Sequence, residues 1–318
     1  MKLIWSLSCI LILLSIIPGC QPPEQQYSQN HRATYSFLDS EHFRGQAEMA
    51  QYTGTIIRYG KPREAELMLI TVLEPFIRDQ LVKSESETDF YAIKQNQVMS
   101  YQTGVYPYRQ MNSVFWSSQS GEFLKAFMTT QEWCGQTYRE LRKQGNTLQF
   151  YYSSYWEDES RGYETKSYPG SPDYALLYDE LPLFVRKNNL EDSLSIALYP
   201  MLMSSQIRRP DWDIGKPARD PDFRKATMDS KPGEIIWQDK PRKVRIVTVT
   251  QPAFQVESGT VPEKKDVFYV DSESSLRPLL RWERNDGGAL ELSSINYTDY
   301  WEQNDPGDGL PQNLKIPE

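Results

Sequence analysis

Near its C-terminal end the chain carries four runs of β-branched and aromatic residues. They are Lys243–Thr250 (KVRIVTVT), Asp266–Asp271 (DVFYVD), Arg277–Glu283 and Ala289–Trp301. The last two flank Asn285-Asp286-Gly287-Gly288. β-Branched and aromatic side chains suit a pleated backbone, and Asp-Gly tolerates the left-handed dihedrals of a tight hairpin. These residues commit this part of the chain to an antiparallel sheet. Leu290 and Leu292 fall on one parity and Ile295 and Tyr297 on the other, which predicts a β-bulge near Ser293-Ser294.

Earlier segments read the same way. Glu48–Tyr59 and Glu64–Leu73 are extended runs around Gly60-Lys61-Pro62. From Leu67 onward both faces of the second run are apolar, which predicts burial on both sides. Phe123–Trp133, Thr137–Arg142 and Thr147–Trp156 form a meander, with Gln144-Gly145-Asn146 as a hairpin turn. Ser193–Met201 is a further strand. Asp173–Arg186 differs: Tyr174, Leu177, Tyr178 and Leu181 recur at helical spacing behind Asp173 as N-cap, and Pro182 ends the helix or starts another element. Arg208–Pro232 holds four Pro and one Gly and reads as a long polar excursion. The expected fold class is mainly β (α+β): a curved antiparallel sheet or half-barrel with one or two helices packed on it. A curved sheet covered by a helix would enclose a cavity lined by aromatics.

The first twenty residues are of another kind. Lys2 precedes an uncharged, largely apolar stretch, Leu3–Ile17, too short to span a ~30 Å hydrocarbon core comfortably. Ile17-Pro18-Gly19-Cys20 follows. This segment resembles a bacterial lipoprotein signal, which implies thioether lipidation of Cys20 and cleavage before it. Gln21 rather than Asp after Cys20 implies, by the same resemblance, the outer membrane of a Gram-negative cell, facing the periplasm. Stable anchoring takes two or more acyl chains, which such a cysteine carries. The expected domains are a signal peptide at 1–20, a polar tether at 21–35, one β-rich domain at 36–301 and a loose tail at 302–318.

Composition matters at three points. An aromatic content of 13% argues against disorder. A net charge of −8 becomes −9 without the leader, whose only charged residue is Lys2, and excludes a basic nucleic-acid surface. Of three cysteines, Cys9 leaves with the leader and Cys20 is lipidated, so Cys134 stands without an intramolecular partner. Between apolar positions it reads as a small buried hydrophobe rather than a nucleophile.

Three segments resemble a family of uncharacterised secreted bacterial proteins. They are Gly45-Gln46-Ala47-Glu48 with Arg58-Tyr59-Gly60 and Glu64-Ala65-Glu66-Leu67; Thr103-Gly104-Val105-Tyr106-Pro107-Tyr108; and Gln131-Glu132-Trp133-Cys134-Gly135. Some members carry a septum-formation-inhibitor name, but the nucleotide-pyrophosphatase motifs behind that name are absent from this chain. The resemblance carries over no activity. Phe268-Tyr269-Val270-Asp271, Leu276-Arg277-Pro278-Leu279 and the closing hairpin are similar to the last strands of periplasmic half-barrels of the lipoprotein-carrier type, which hold acyl chains or other apolar ligands.

Catalytic motifs are scarce. His31 and His42 are the two histidines, without HxxxH or HExxH spacing, and no G-x-S-x-G, P-loop or G-x-G-x-x-G occurs. Glu157, Asp158 and Glu159 after Trp156 have the composition of a sugar-cleaving cleft, yet read first as a solvated turn. Asp211 and Asp213, and Asp305 with Asp308, depart from the calcium-loop pattern. Arg58, Tyr59, Tyr106, Tyr108, Glu132 and Trp133 are the candidate ligand-binding residues. The competing expectation is structural: Trp133 and Tyr106 fill the core while Arg58 and Glu132 form a buried ion pair.

The sequence therefore favours a lipid-anchored, non-enzymatic envelope protein, with no cofactor or metal, that binds or carries an apolar or acyl-containing ligand. Its rivals are an envelope-glycan hydrolase using Glu132 or Glu157, and a structural partner of an outer-membrane complex.

Overall fold

A computed structural model describes residues 35–86, 88, 90–157, 159–169, 174–207, 222–256, 259–309 and 316. The expected leader with Cys20, most of the expected tether, Asp158, Asp173, Asp211 and Asp213 lie outside the described residues.

The chain runs through β1 (Ala47–Arg58), β2 (Lys61–Ile77), β3 (Val82–Lys83), β4 (Tyr91–Thr103), β5 (Tyr106–Ser117), β6 (Phe123–Glu132), β7 (Gly135–Gln144), β8 (Thr147–Ser154), β9 (Arg161–Ser167) and β10 (Tyr174–Leu177). A 3₁₀ turn at Tyr178–Glu180 and the one-turn helix α1 (Leu181–Phe184) follow. Then come β11 (Ser193–Tyr199), β12 (Arg224–Trp237), β13 (Lys240–Gln251), β14 (Phe254–Val256), β15 (Gly259–Val261), β16 (Lys264–Asp271), β17 (Leu279–Arg284) and β18 (Ala289–Thr298).

Among the described residues one 16-stranded sheet takes up every strand but β14 and β15, which pair with each other. Its path is β10-β11-β12-β13-β16-β17-β18-β1-β2-β4-β5-β6-β7-β8-β9, with β3 flanking β2. All neighbours are antiparallel except β10 and β11. The two ends of the path, β9 and β10, are consecutive in the chain, so the curved sheet returns on itself. Tyr168, just after β9, donates from its hydroxyl to the Ala175 carbonyl of β10 at 2.7 Å. Its ring meets Phe223 beside β12 at 5.5 Å.

Register sets which side chains face inward. One lateral row runs Tyr52, Leu67, Met99, Gln110, Thr130, Thr137 and Ser154 across β1, β2, β4, β5, β6, β7 and β8. The next runs Ala50, Leu69, Gln97, Asn112, Met128, Arg139 and Tyr152. Leu67, Leu69 and Thr71 are buried on this face, while Met68 and Ile70 on the other are half-buried. The sheet thus wraps one core and leaves its outer face partly solvated. A small second cluster of Phe76, Phe90, Ala92 and Phe115 covers part of that outer face.

The bulge forms where expected: Gln51 opposes Ser294 and Tyr52 opposes Leu292, leaving Ser293 unmatched. The helix expected over Asp173–Arg186 gives way to strand β10, the 3₁₀ turn and α1, with Pro182 in the first turn of α1. All of Tyr178–Arg186 is buried because the segment runs inside the sheet, so its apolar residues need no single face. The polar excursion expected through Pro232 becomes strand at Arg224. Pro232 is tolerated because β11 stops pairing at Asp229, so from there β12 has a neighbour on one side only. Ile316, in the expected loose tail, packs against the core.

The interior is filled rather than open. Asp179 takes 2.5 Å and 2.8 Å hydrogen bonds at its carboxylate from Asn112 of β5 and the Leu202 amide. Glu180 accepts from the Trp116 indole and the Leu177 amide, both at 2.7 Å. On the opposite wall the Tyr178 hydroxyl donates to Asp266 of β16 at 2.6 Å. Arg139 donates to the Ser204 carbonyl at 2.8 Å and also to that of Gln206, and Thr137 donates to the Ser205 carbonyl. The stretches 177–186 and 202–207 thus cross-brace the barrel from within.

Candidate functional site

Alternation along antiparallel strands brings four hairpin tips to one end of the barrel: β1–β2, β4–β5, β6–β7 and β8–β9. The β1–β2 turn is Tyr59-Gly60, with φ of +55° and +64°. Two left-handed residues in succession make the twist-compatible two-residue hairpin. A tyrosine in that conformation costs about 1–2 kcal/mol, which its contacts help offset. The turn folds Tyr59 back over Arg58, whose guanidinium carbon lies 4.3 Å from the ring centre.

All six candidate residues meet here. Arg58 donates to the Tyr59 hydroxyl at 3.1 Å and to the Tyr108 hydroxyl at 3.4 Å, and those two hydroxyls are 2.7 Å apart. Tyr108 stacks on Tyr101 at 4.8 Å with a 7° interplanar angle. Tyr106 bridges outward, its ring 5.6 Å from Tyr108 and 6.2 Å from Trp133. Glu132 belongs to the same inward row as Tyr108. Its two oxygens are shielded from solvent and make no hydrogen bond of acceptable geometry. It lies close enough to act on Tyr108, whose hydroxyl is raised far above its ordinary pKa by burial first, then by Glu132 and Tyr59.

The structural alternative divides. Tyr108 is fully buried and Tyr106 half-buried against the core, but Trp133 is 73% exposed and Tyr59 51% exposed. Trp133 and Cys134 do not enter the core, because Glu132 pairs with Gly135 and the two residues between them become the hairpin tip. Cys134, expected to be buried, is exposed there. At Gly135 a Cβ would sit 2.4 Å from the Tyr155 ring, so glycine lets that aromatic close over the backbone beside Trp133. Tyr155, 67% exposed, is the rim residue sequence reasoning passed over; its signal was the glycine opposite it.

Just below this mouth a recess of about 780 Å³ spans β1, β2, β4 and β5. Ala65, Tyr101, Tyr108, Glu66 and Arg109 border it, and Gly54, the cross-strand partner of Ala65, has no space for a Cβ because the Ala289 carbonyl oxygen lies 2.1 Å from where one would sit.

The other candidates fall elsewhere. Glu157 is exposed on the β8–β9 connection, while the buried Glu159 accepts from Ser154 and the Ile207 amide and so holds the inner brace. Asp308 caps its own turn by accepting from the Asp305 amide at 2.9 Å. His42 packs on Tyr297 at 5.0 Å. Among the described residues no three His, Cys, Asp or Glu side chains group to hold a metal, and no helix is long and apolar enough to cross a membrane.

No family model matches the chain, and no curated protein does either. Among solved structures it is similar to a β-barrel-like protein of domain of unknown function DUF1849 from Brucella abortus. The match has a TM-score of 0.46 and 9% identity over 80% of this chain and 98% of that one.

Proposed function

We propose that this chain is a lipid-anchored envelope protein of the outer membrane that binds a ligand at the aromatic mouth of its barrel. The observation that carries the reading is convergence. Three hairpins far apart in sequence deliver Arg58 and Tyr59, Tyr106 and Tyr108, and Glu132 and Trp133 to one continuous assembly of rings. Exposed aromatics contiguous at one rim, above a charged pair of residues, have the anatomy of a recognition surface rather than of a core. The carrier form of this reading, with an acyl chain swallowed by an apolar lumen, finds less support. Inward positions hold Gln97, Asn112, Asp179 and Glu180, and the chain itself crosses the lumen. An apolar portion of the ligand would instead lie against Trp133, Tyr106 and Tyr59.

The first described residues, Tyr35 to Phe43, pack at the end of the barrel where β1 starts, and β1 delivers Arg58 to the far end, so the mouth stands at the opposite end from Tyr35.

Two measurements test the reading. Metabolic palmitate labelling should be lost in Cys20→Ala; unchanged labelling would remove the anchor. Native mass spectrometry of gently extracted protein should show a co-purifying adduct whose occupancy drops at least fivefold in Trp133→Ala. Equal occupancy in the two proteins would place any ligand elsewhere.

A further inference from the structure

At the end of the barrel away from the mouth, a recess of about 270 Å³ opens between the β5–β6 turn, the last residues of β7, the seam of β9 and β10, and α1. Two lysines line it, and both are half-buried. Lys143 has the inward parity of Arg139 and Leu141 on β7. Lys187 follows α1, and Arg245 fixes the backbone that carries it by donating to the Val185 carbonyl at 2.7 Å and to that of Lys187. Each ammonium rests on aromatic rings rather than against a carboxylate. Lys143 Nζ lies 4.9 Å from the Tyr168 ring centre. Lys187 Nζ lies 4.5 Å from that of Tyr174 and 4.7 Å from that of Phe184. Lys187 gives one N–H to the Tyr174 hydroxyl at 3.3 Å. An ammonium has three donors, so most of theirs stay available to the recess. Other cations on this barrel are paired: Lys94 with Glu74 at 2.9 Å, Lys166 with Glu164 at 3.1 Å and Arg242 with Asp271 at 2.6 Å. Two carboxyls also line the recess. Glu122 is exposed. The buried Glu180 already accepts from Trp116 and Leu177, and burial pushes it up to about 7, so at neutral pH it opposes an anion only in part.

The geometry points to a second binding site in this recess, separate from the mouth, that takes a phosphate monoester between Lys143 and Lys187. Such a group carries about two negative charges at neutral pH and three acceptor oxygens. Two ammonium groups, which only donate, match it in charge and in hydrogen bonding. The rings of Tyr168, Tyr174 and Phe184 offer an apolar wall to the carbon stem of the ester. The recess has the room, since a water molecule's share of liquid volume is about 30 Å³. Other classes fit less well. A carboxylate brings one charge to two lysines. A neutral sugar or an alkyl chain leaves both unmatched, and a cation is repelled. Soluble esters and lipid headgroups both present this phosphate, and the recess recognises what they share.

The test titrates the purified full chain with glycerol 3-phosphate, glycerate, glycerol and dihexanoyl phosphatidic acid, read by calorimetry and phosphorus NMR. Lys143→Met, Lys187→Met and the double variant accompany it. Methionine keeps an apolar stem on the rings and removes the charge, so the melting temperature should hold, and each variant is compared only once it does. Glycerol 3-phosphate should bind and glycerol should not, with glycerate at least fivefold weaker. Each single variant should weaken glycerol 3-phosphate at least fivefold, and the double variant should abolish its binding. Dihexanoyl phosphatidic acid that binds tenfold tighter than glycerol 3-phosphate, and loses that affinity in the double variant, assigns the site to a lipid headgroup. If it binds no tighter, the site belongs to a soluble ester. The inference falls if neither phosphate ester binds, if glycerate binds as tightly as glycerol 3-phosphate, or if the folded lysine variants bind as the wild-type chain does.

Discussion

Arg186→Met should lower the free energy of unfolding by about 3–5 kcal/mol, the cost of leaving one member of a buried ion pair uncompensated. Arg186 and Glu48 are both nearly inaccessible and meet through two bonds of 2.6 Å and 2.9 Å. Arg186 also donates to the carbonyls of Leu276 and Arg277 at 2.8 Å and 3.0 Å, and its guanidinium lies 4.0 Å over Phe37. Arg277 holds a left-handed φ of +49° where it presents that carbonyl. Tyr297 of β18 completes the junction by donating to Glu48 at 2.8 Å. One side chain therefore ties the inner brace to β1, to the β16–β17 connection and to the N-terminal 3₁₀ turn Ser36–Asp39. Removing the arginine alone strands the Glu48 charge, whereas the double variant Glu48→Leu/Arg186→Met removes both charges. It should recover at least about 2 kcal/mol of the loss, since apolar replacement of a buried pair is often near neutral. Urea unfolding of the wild-type chain and the two variants at pH 7 measures this. A single-variant loss below about 1 kcal/mol would show that the junction is dispensable.

The second large effect is a stability that increases on mild acidification. Asp179 and Glu180 lie wholly inside the barrel, and burial pushes their carboxyls up to about 6 and about 7, against the hydrogen bonds they accept. Asp266, buried on the opposite wall, is raised for the same reason. A carboxyl whose folded pKa exceeds its unfolded one contributes stability that is complete below the unfolded value, near 4. That contribution is lost as pH rises through the folded value. Between pH 5 and pH 7.5 the unfolded chain has already released these protons while the folded barrel is still releasing them. The unfolding free energy should therefore be about 2–4 kcal/mol higher at pH 5 than at pH 7.5. The double variant Asp179→Asn/Glu180→Gln should flatten most of that slope. A urea midpoint that falls from pH 7.5 to pH 5 in the wild-type chain contradicts the assignment.

Much of the sheet was legible where turn chemistry and side-chain alternation coincided. Gly145-Asn146 between β7 and β8, and the Asn285–Gly288 turn with the bulge at Ser293 five residues after it, are local signals that tertiary structure had no reason to override. β4 and β5 were not legible. Their inward rows hold Gln95, Gln97, Gln110 and Asn112, of which Gln97 and Asn112 bond to Asp179 of the inner brace, so apolar alternation is missing on the face that is buried. The segment 173–186 misled for the opposite reason. Its residues from Leu176 to Arg186 are buried and apolar at several spacings, and helical period then carries no information. At the mouth the residue types were legible and their roles were not. Arg58 and Tyr108 lie inward and buried, while Trp133, one residue past an inward Glu132, is carried outward by a two-residue turn.

The way the sheet returns on itself has a counting consequence. A ring in which every neighbour runs antiparallel needs an even number of members. The path here has fifteen, an odd number, and contains one parallel step, β10 to β11. That single step restores the parity, so β9 descends and β10 ascends where the two edges meet. The six residues between Ser167 and Tyr174 can join them only because of this; two edges running the same way would need a crossover of a dozen residues or more. Length variation in relatives of this chain should therefore come as loops or as whole hairpins. The gain or loss of one strand would demand either a second parallel step or the loss of the one between β10 and β11.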